Sequence, residues 1–446
     1  MYPKAWGRAL LVLLLMATGC DKLRAIPGFE PAPVVPPPAP PPVSIGPWLL
    51  DPLPGQITVA WTTLTPTLGR VWYGTRDPDR LAMEEGQPAT EHRVVLPSLQ
   101  PATQYRYRVE GAQEIAWFTS PPKQGTEGPI QVLVYGNNRS NSGDHALVAR
   151  GAAAEHPQLA LHTGDMVVSA REENLWRVWF QEERDLLLHA PIVPTVGNHD
   201  VNDTGGAHSR FFQGRGRPRY WSLDYGPVHL VVLDSFELSA SATPQSPGMS
   251  ETQKAWFEED LRGVPKDRHV WVLVHQGPFA HPSEARQGAD GSEIVREAIV
   301  RAHLIHPIEA VFAGHENFYE RGEIAGIHYF VIGGGGAPLD EPDRSGEGVQ
   351  AAARSLSYAT VQVCGCHSSG RVKDIAGKVI DAFTLSSCAT PCSSPGWAAA
   401  VAAASAVPVA SPPATEEDPR RSKRRSRKRR RGSVDVETSA GENRGR

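Results

Sequence analysis

The sequence predicts an α/β layered domain, its sheets flanked by helices, preceded by a small all-β sandwich and bounded by segments too simple in composition to pack a core. Three observations predict this. Short alternating runs separated by Pro and Gly fill residues 44–120, apolar strand-like runs interleave with helix-like stretches from about 128 to 385, and Pro, Ala, Ser or Arg dominate outside those limits. A chain of 446 residues has room for two or three domains.

Residues 1–20 read as an export leader. Lys4 and Arg8 precede the apolar run Ala9–Met16, and the small residues Ala17-Thr18-Gly19 lead to Cys20. The run falls well short of the ~20 residues that a membrane-spanning helix needs. Small residues ending in Cys20 resemble a bacterial lipobox, which makes Cys20 a candidate lipid-bearing first residue of the mature chain. The expected location is therefore the periplasm, the cell surface or the medium. Residues 21–43 form a Pro-rich linker that includes Pro36-Pro37-Pro38 and Pro40-Pro41-Pro42. Such runs favour extended polyproline conformations and act as semi-rigid spacers.

The region 44–122 supplies strand candidates at Ile57–Trp61, Arg70–Tyr73, His92–Leu96 and Tyr105–Val109. Leu99–Tyr105 resembles the tyrosine-corner turn of fibronectin type III modules. No residue in this region carries recognisable chemistry, so packing and spacing are its expected roles. In 128–385, apolar runs at Ile130–Tyr135, Gln158–Thr163, Val228–Asp234, Val270–His275 and Glu309–Ala313 alternate with helix candidates. The latter are His145–Glu155, Glu172–Leu187 and Ser250–Arg262, with Ser250 as a capping residue. Ligands of layered α/β folds gather at the carboxyl ends of strands.

Residues 386–446 form a low-complexity, Arg-rich tail expected to be disordered. Ten Lys or Arg lie within Arg420–Arg431, so the rest of the chain is far more acidic than the net charge of −4 suggests. Such a block can also meet anionic surfaces; no specific nucleic-acid binding is expected. Cys364, Cys366, Cys388 and Cys392 form an even set suited to one or two disulfides in an oxidising compartment. Cys364-Gly365-Cys366-His367 as part of a zinc site is the lesser alternative.

Five polar clusters each follow an apolar run: Tyr135-Gly136-Asn137-Asn138-Arg139, Gly164-Asp165, Gly197-Asn198-His199-Asp200, Val274-His275 and Gly314-His315-Glu316-Asn317. Singly, each reads as a turn or a core histidine. Together they bring carboxylate, amide and imidazole groups to five strand ends, a donor set suited to zinc, iron or manganese.

In their order and spacing these clusters resemble the calcineurin-like metallophosphoesterase superfamily, in its purple-acid-phosphatase-like branch, in which a fibronectin type III-like module precedes the catalytic domain. Tyr220–Gly226, Tyr319-Glu320-Arg321 and Gly333–Leu339 add lesser matches, and the resemblance covers roughly 44–385. It implies a metal-dependent phosphoester hydrolase, with Asp165 as the carboxylate shared by two metals and Asn198, His275 and His315 completing one of the two sites. His199 matches the histidine beside the scissile phosphate, and Asp200 is expected to hold its ring. At the ligand positions of the other metal stand Asn137, Asn317 and Val168, in place of Asp, His and Tyr. One tight ion and a weak or absent second are therefore expected, with low activity. A phosphate-binding relative that has lost catalysis is the alternative, and a surface display module is a third reading. Arg139 and His281 are candidate phosphate contacts. Nothing in the sequence selects a monoester, diester, nucleotide or lipid substrate.

Overall fold

The computed structural model describes residues 42–386 and Cys392, apart from 84–85, 126–127, 140, 202–205, 214–217, 239–246 and 284–290. The leader with Cys20, most of the Pro-rich linker, Cys388 and the Arg-rich tail lie outside the described residues.

Period-two patterning builds the amino-terminal part. In the strand Gln104–Val109, Tyr105, Tyr107 and Val109 are buried while Gln104 and Arg106 are exposed, as one covered face demands. Among the described residues, Val43–Leu53, Gln56–Thr67 and Ala89–Leu96 form one antiparallel sheet. Arg80–Met83, Arg70–Gly74, Gln104–Val109 and Ala116–Thr119 form another. The Tyr105 hydroxyl accepts the Gln100 amide at 3.0 Å, closing the tyrosine-corner turn.

Strands of the larger part are instead apolar throughout. Val228–Val232, His269–Leu273 and Ala310–Ala313 are buried at every position, because both faces of their sheet are covered. The inner face meets a second sheet, where Leu230, Trp271 and Phe312 pack with Val132, Val134 and Leu161. The outer face takes Phe257 and Leu261 from the helix Glu251–Arg262, and Val295 and Ile299 from the helix Glu293–His303. The second sheet is covered in turn by Val148 and Ala152 of the helix Ser142–Ala154. The layers run helix, sheet, sheet, helix. Mixed sheets with a parallel centre and few helices make this the α/β layered fold, preceded by a β-rich region.

Three helices start on side-chain caps: Asn141, Ser250 and Ser292 each accept the backbone amide three residues on. The stretch expected to be one helix over Glu172–Leu187 is two, Glu173–Glu182 and Arg184–Leu187. The break falls at Glu183, whose wholly buried carboxylate accepts from the Tyr135 hydroxyl at 2.8 Å and bonds the His145 ring at 2.6 Å.

The amino-terminal sheets pack on this layer through aromatic rings. Trp48 lies 4.6 Å from Phe180, and its indole nitrogen donates to the Phe211 carbonyl. The Tyr107 hydroxyl donates to the Leu188 carbonyl. Cys364 and Cys392 form a disulfide, and Cys366 is also disulfide-bonded, so these sulfurs are not the thiolates that the zinc alternative required. Among the described residues no helix is long and apolar enough to cross a membrane.

Candidate metal centre

Parallel strands Ile130–Tyr135, Leu159–His162 and Ile192–Pro194 of one sheet, and His269–Leu273 and Ala310–Ala313 of the other, lead into the five polar clusters. The turns that follow are tight. Asn137, Asp165 and His315 all have positive φ, at 59°, 56° and 69°. Such backbone is costly outside glycine and persists where surroundings enforce it, which is common at functional sites. Gly197 must lack a side chain, because a Cβ there would strike the Asp165 backbone and carboxylate.

Asp165, Asn198, His275 and His315 converge. The His275 Nε2 atom lies 3.3 Å from Asp165 Oδ1 and 3.2 Å from Asn198 Oδ1, and His315 Nδ1 lies 3.1 Å from the same Asn198 oxygen. Four ligands about a zinc-like ion at ~2.0–2.1 Å stand ~3.3 Å apart, so these residues fit a metal ion. The His275 ring is oriented for ligation, because its Nδ1 donates to the Thr163 carbonyl at 2.6 Å and leaves Nε2 facing the other donors. Among the described residues no group of three or more Cys, His, Asp or Glu alone makes a ligand set. Here the neutral amide oxygen of Asn198 is the atom on which both imidazoles close. Phe236 walls the pair, with ring centres 5.8 and 6.0 Å from His275 and His315.

Burial alone would raise the pKa of Asp165, but His275 first, then His199 and Arg139, hold it well below the usual carboxylate range. Burial alone would lower that of His275, and Asp165 lifts it above the ordinary value.

The other half of the cleft is built differently. Asn137 Nδ2 donates to Asn317 Oδ1 at 2.8 Å, the Asn137 oxygen accepts the His315 amide at 3.1 Å, and Asn317 Nδ2 donates to Asp340 at 3.1 Å. The second oxygen of Asp165 accepts from Arg139 Nε at 2.9 Å, and among the described residues Asp165 is the only partner of the Arg139 side chain. Both amide oxygens already accept protein hydrogens, and a guanidinium rests on the shared carboxylate. Arg139 thus occupies the face of Asp165 that a second ion would share.

His199 and Asp200 part company. The His199 ring is held at Nδ1 by the Val168 carbonyl at 2.9 Å, not by Asp200 as expected. Asp200 instead accepts the amides of Asp165 at 2.8 Å, Gly197 at 2.9 Å, Met166 at 3.0 Å and Val167 at 3.4 Å. The tight turn in which the Asp200 amide meets the Gly197 carbonyl folds that side chain back beneath the Asp165 turn. Asp200 is thus a positioning residue for the backbone around Asp165. Burial, then the charge of Asp165, push its pKa up to about 7 against those backbone donors. His281 is bonded at Nδ1 by Glu320 at 2.8 Å, with the Tyr329 ring 6.3 Å away. Sequence reading missed Thr163, Phe236, Asp340 and the Val168 carbonyl; backbone acceptors leave no mark in side-chain identity.

Residues 142–319 match the family model of the calcineurin-like phosphoesterases, a span that begins beyond Arg139. The chain carries a calcineurin-like phosphoesterase domain. It is 24% identical over 274 residues to purple acid phosphatase 1 of Ipomoea batatas, and likewise to the Fe(3+)-Zn(2+) purple acid phosphatase 12 of Arabidopsis thaliana. Each match covers 56% of this chain and 56% of the relative, so the similarity spans little more than half of those proteins' length. In fold, the chain is similar to the purple acid phosphatase PPD1 from Lupinus luteus seeds, with a TM-score of 0.65 at 16% identity, covering 78% of this chain and 77% of that one. It is also similar to PhoD, with a TM-score of 0.61 at 12% identity, covering 78% and 92%.

Proposed function

We propose that this calcineurin-like phosphoesterase hydrolyses phosphoesters slowly, with one metal ion held by Asp165, Asn198, His275 and His315 and with Arg139 as the cation of the opposite half. The observation that carries the reading is the run of donor atoms from Asp165 through His275 and Asn198 to His315, each 3.1–3.3 Å from the next. Zinc, iron or manganese bound there supplies a Lewis acid for a phosphoryl oxygen. The remaining steps fall to this chain's own groups. Arg139, anchored through Nε, keeps its terminal nitrogens for phosphoryl oxygens, a planar donor suited to that anion. As water forms the new bond to phosphorus and the ester P–O bond breaks, His199, aligned by the Val168 carbonyl, donates a proton to the leaving oxygen and is reprotonated by the proton that the attacking water loses. Asp200 keeps the Asp165 turn in shape. His281 remains an outer phosphate contact of this proposal.

Elemental analysis after exhaustive dialysis, paired with turnover of a generic aryl phosphate, tests the reading. One ion per chain and a slow, ion-dependent hydrolysis are expected. Two tightly held ions would overturn it. A second reading, phosphate binding without turnover, is favoured by the Arg139–Asp165 pair, which closes part of the cleft. It wins if phosphate binds and no hydrolysis follows with zinc, iron or manganese.

We further infer export, supported by the Cys364–Cys392 disulfide, with Cys20 as the lipid attachment point and the basic tail meeting anionic surfaces.

A further inference from the structure

Beside Arg139 lies a cavity of about 310 Å³, and among the described residues none of the four metal donors lines it. Arg139 forms one wall, and the aliphatic wall is made by Val167, Val168, Leu175 and Val178. The Trp179 ring, His145 and Glu182 line it further, and the exposed Asn141, Ser142 and Val168 belong to the lining as well. The cavity and the proposed chemistry share one loop. Met166–Val168 lines the cavity, follows Asp165 directly, and supplies the carbonyl that holds His199.

We propose that this cavity receives the organic group of the phosphoester, and that the group is small, uncharged and mainly apolar, such as an aryl or short branched alkyl. The inference rests on the hydrolase reading and names its substrate class. Its size is the first argument: 310 Å³ stands at the lower end of small-molecule sites, which suits one compact organic group. Wall chemistry is the second, since a mostly apolar lining with a few placed polar groups is how such sites gain affinity and orientation. Charge is the third. Glu182 lines the cavity with His145, and Glu182 and the buried Glu183 flank that imidazole at 2.5 and 2.6 Å, so two carboxylates meet one imidazole at this part of the wall. A second phosphate or a carboxylate there would meet net negative charge. Arg139, bonded to Asp165, supplies the positive group, which orients the ester with its phosphoryl toward Asp165.

The test uses the full chain with manganese or zinc and two non-hydrolysable ligands with the same head group, methylphosphonate and phenylphosphonate, titrated by calorimetry. Phenylphosphonate should bind tenfold or more tighter, from burial of one ring. Val178→Trp, which fills the cavity, should remove that advantage and leave methylphosphonate affinity unchanged. Should the bulky variant fail to fold, Val178→Ala serves instead: it should improve affinity for naphthylphosphonate severalfold over wild type. Equal binding of the methyl and phenyl ligands to wild type would overturn the cavity assignment and leave the phosphate site standing. Binding of neither would overturn both.

Discussion

The two halves of the cleft use the same carboxylate in opposite ways. Toward one side, Asp165 Oδ1 faces an imidazole nitrogen and an amide oxygen at separations that suit ligands around a cation. Toward the other, Asp165 Oδ2 already holds a cation that the chain itself provides, and the flanking amides bond each other. Electrostatics explains why both can coexist. A buried carboxylate needs compensating positive charge, and it does not matter to its desolvation cost whether that charge is a metal or a guanidinium. What differs is chemistry: a guanidinium clamps oxygens but neither exchanges ligands nor activates water. The difference teaches that one buried carboxylate can be compensated on its two sides by different means, a protein guanidinium on one and a set of ligand-like donors on the other.

The largest expected effect tests the donor half. His199→Ala should reduce turnover by ~10²–10⁴, the usual span for a positioned acid, while the metal stays bound through its four ligands. Substrate affinity should change far less, because proton donation to the leaving oxygen gains value only as charge develops. Metal content and single-turnover rates read this directly. Unchanged turnover would make His199 a bystander.

Reversing the other half is the next way to sharpen the contrast. Asn137→Asp with Asn317→His restores a carboxylate and an imidazole, yet Arg139 still covers Asp165 Oδ2. The double variant is expected to stay near one ion per chain, whereas adding Arg139→Ala should allow two. Turnover in the triple variant should rise by tenfold or more, worth ~1.4 kcal/mol of barrier. A double variant that already binds two tight ions would mean that Arg139 does not obstruct the site.

The same contrast explains how much was legible in the sequence. Apolar runs buried on both faces announced the parallel strands, and the order of the polar clusters announced which strand ends meet. Asn137 and Asn317 could be named as departures because side-chain identity records lost charge. What they do instead was not legible: the 2.8 Å bond between them joins residues 180 apart in sequence. The Asp200 assignment failed for a related reason. Adjacency to His199 suggested a carboxylate–imidazole pair, but the turn directs Asp200 to backbone amides, which every sequence possesses. The break at Glu183 was hidden too, because a continuous amphipathic pattern cannot reveal that one carboxylate is committed to a buried partner.

The smallest expected effect lies beneath the Arg139 side, in the buried set Tyr135, Glu183, His145 and Glu182. Burial alone would lower the His145 pKa, but the hydrogen bonds it donates to Glu182 and Glu183, with their charges, raise it from 6.5 to about 9. Tyr135 is pushed well above its ordinary value, by burial first and then by Glu183, so it does not titrate in this range. A histidine whose folded pKa exceeds its unfolded one adds stability that is complete below the unfolded value and is lost as pH rises through the folded value. The His145 contribution should therefore be full at pH 6 and largely gone by pH 9.5, an upper limit of about 3 kcal/mol from its shift. His229, bridged by Asp224 and Asp260 and also raised to about 9, acts in the same direction. The wild-type urea midpoint should thus fall between pH 6 and pH 9.5. In His145→Gln the midpoint should start lower at pH 6 and fall less, so that the two proteins converge at high pH. Parallel curves would mean that folding does not raise the His145 pKa, so that above pH 7 it is neutral and the cavity wall it shares with Glu182 carries more negative charge.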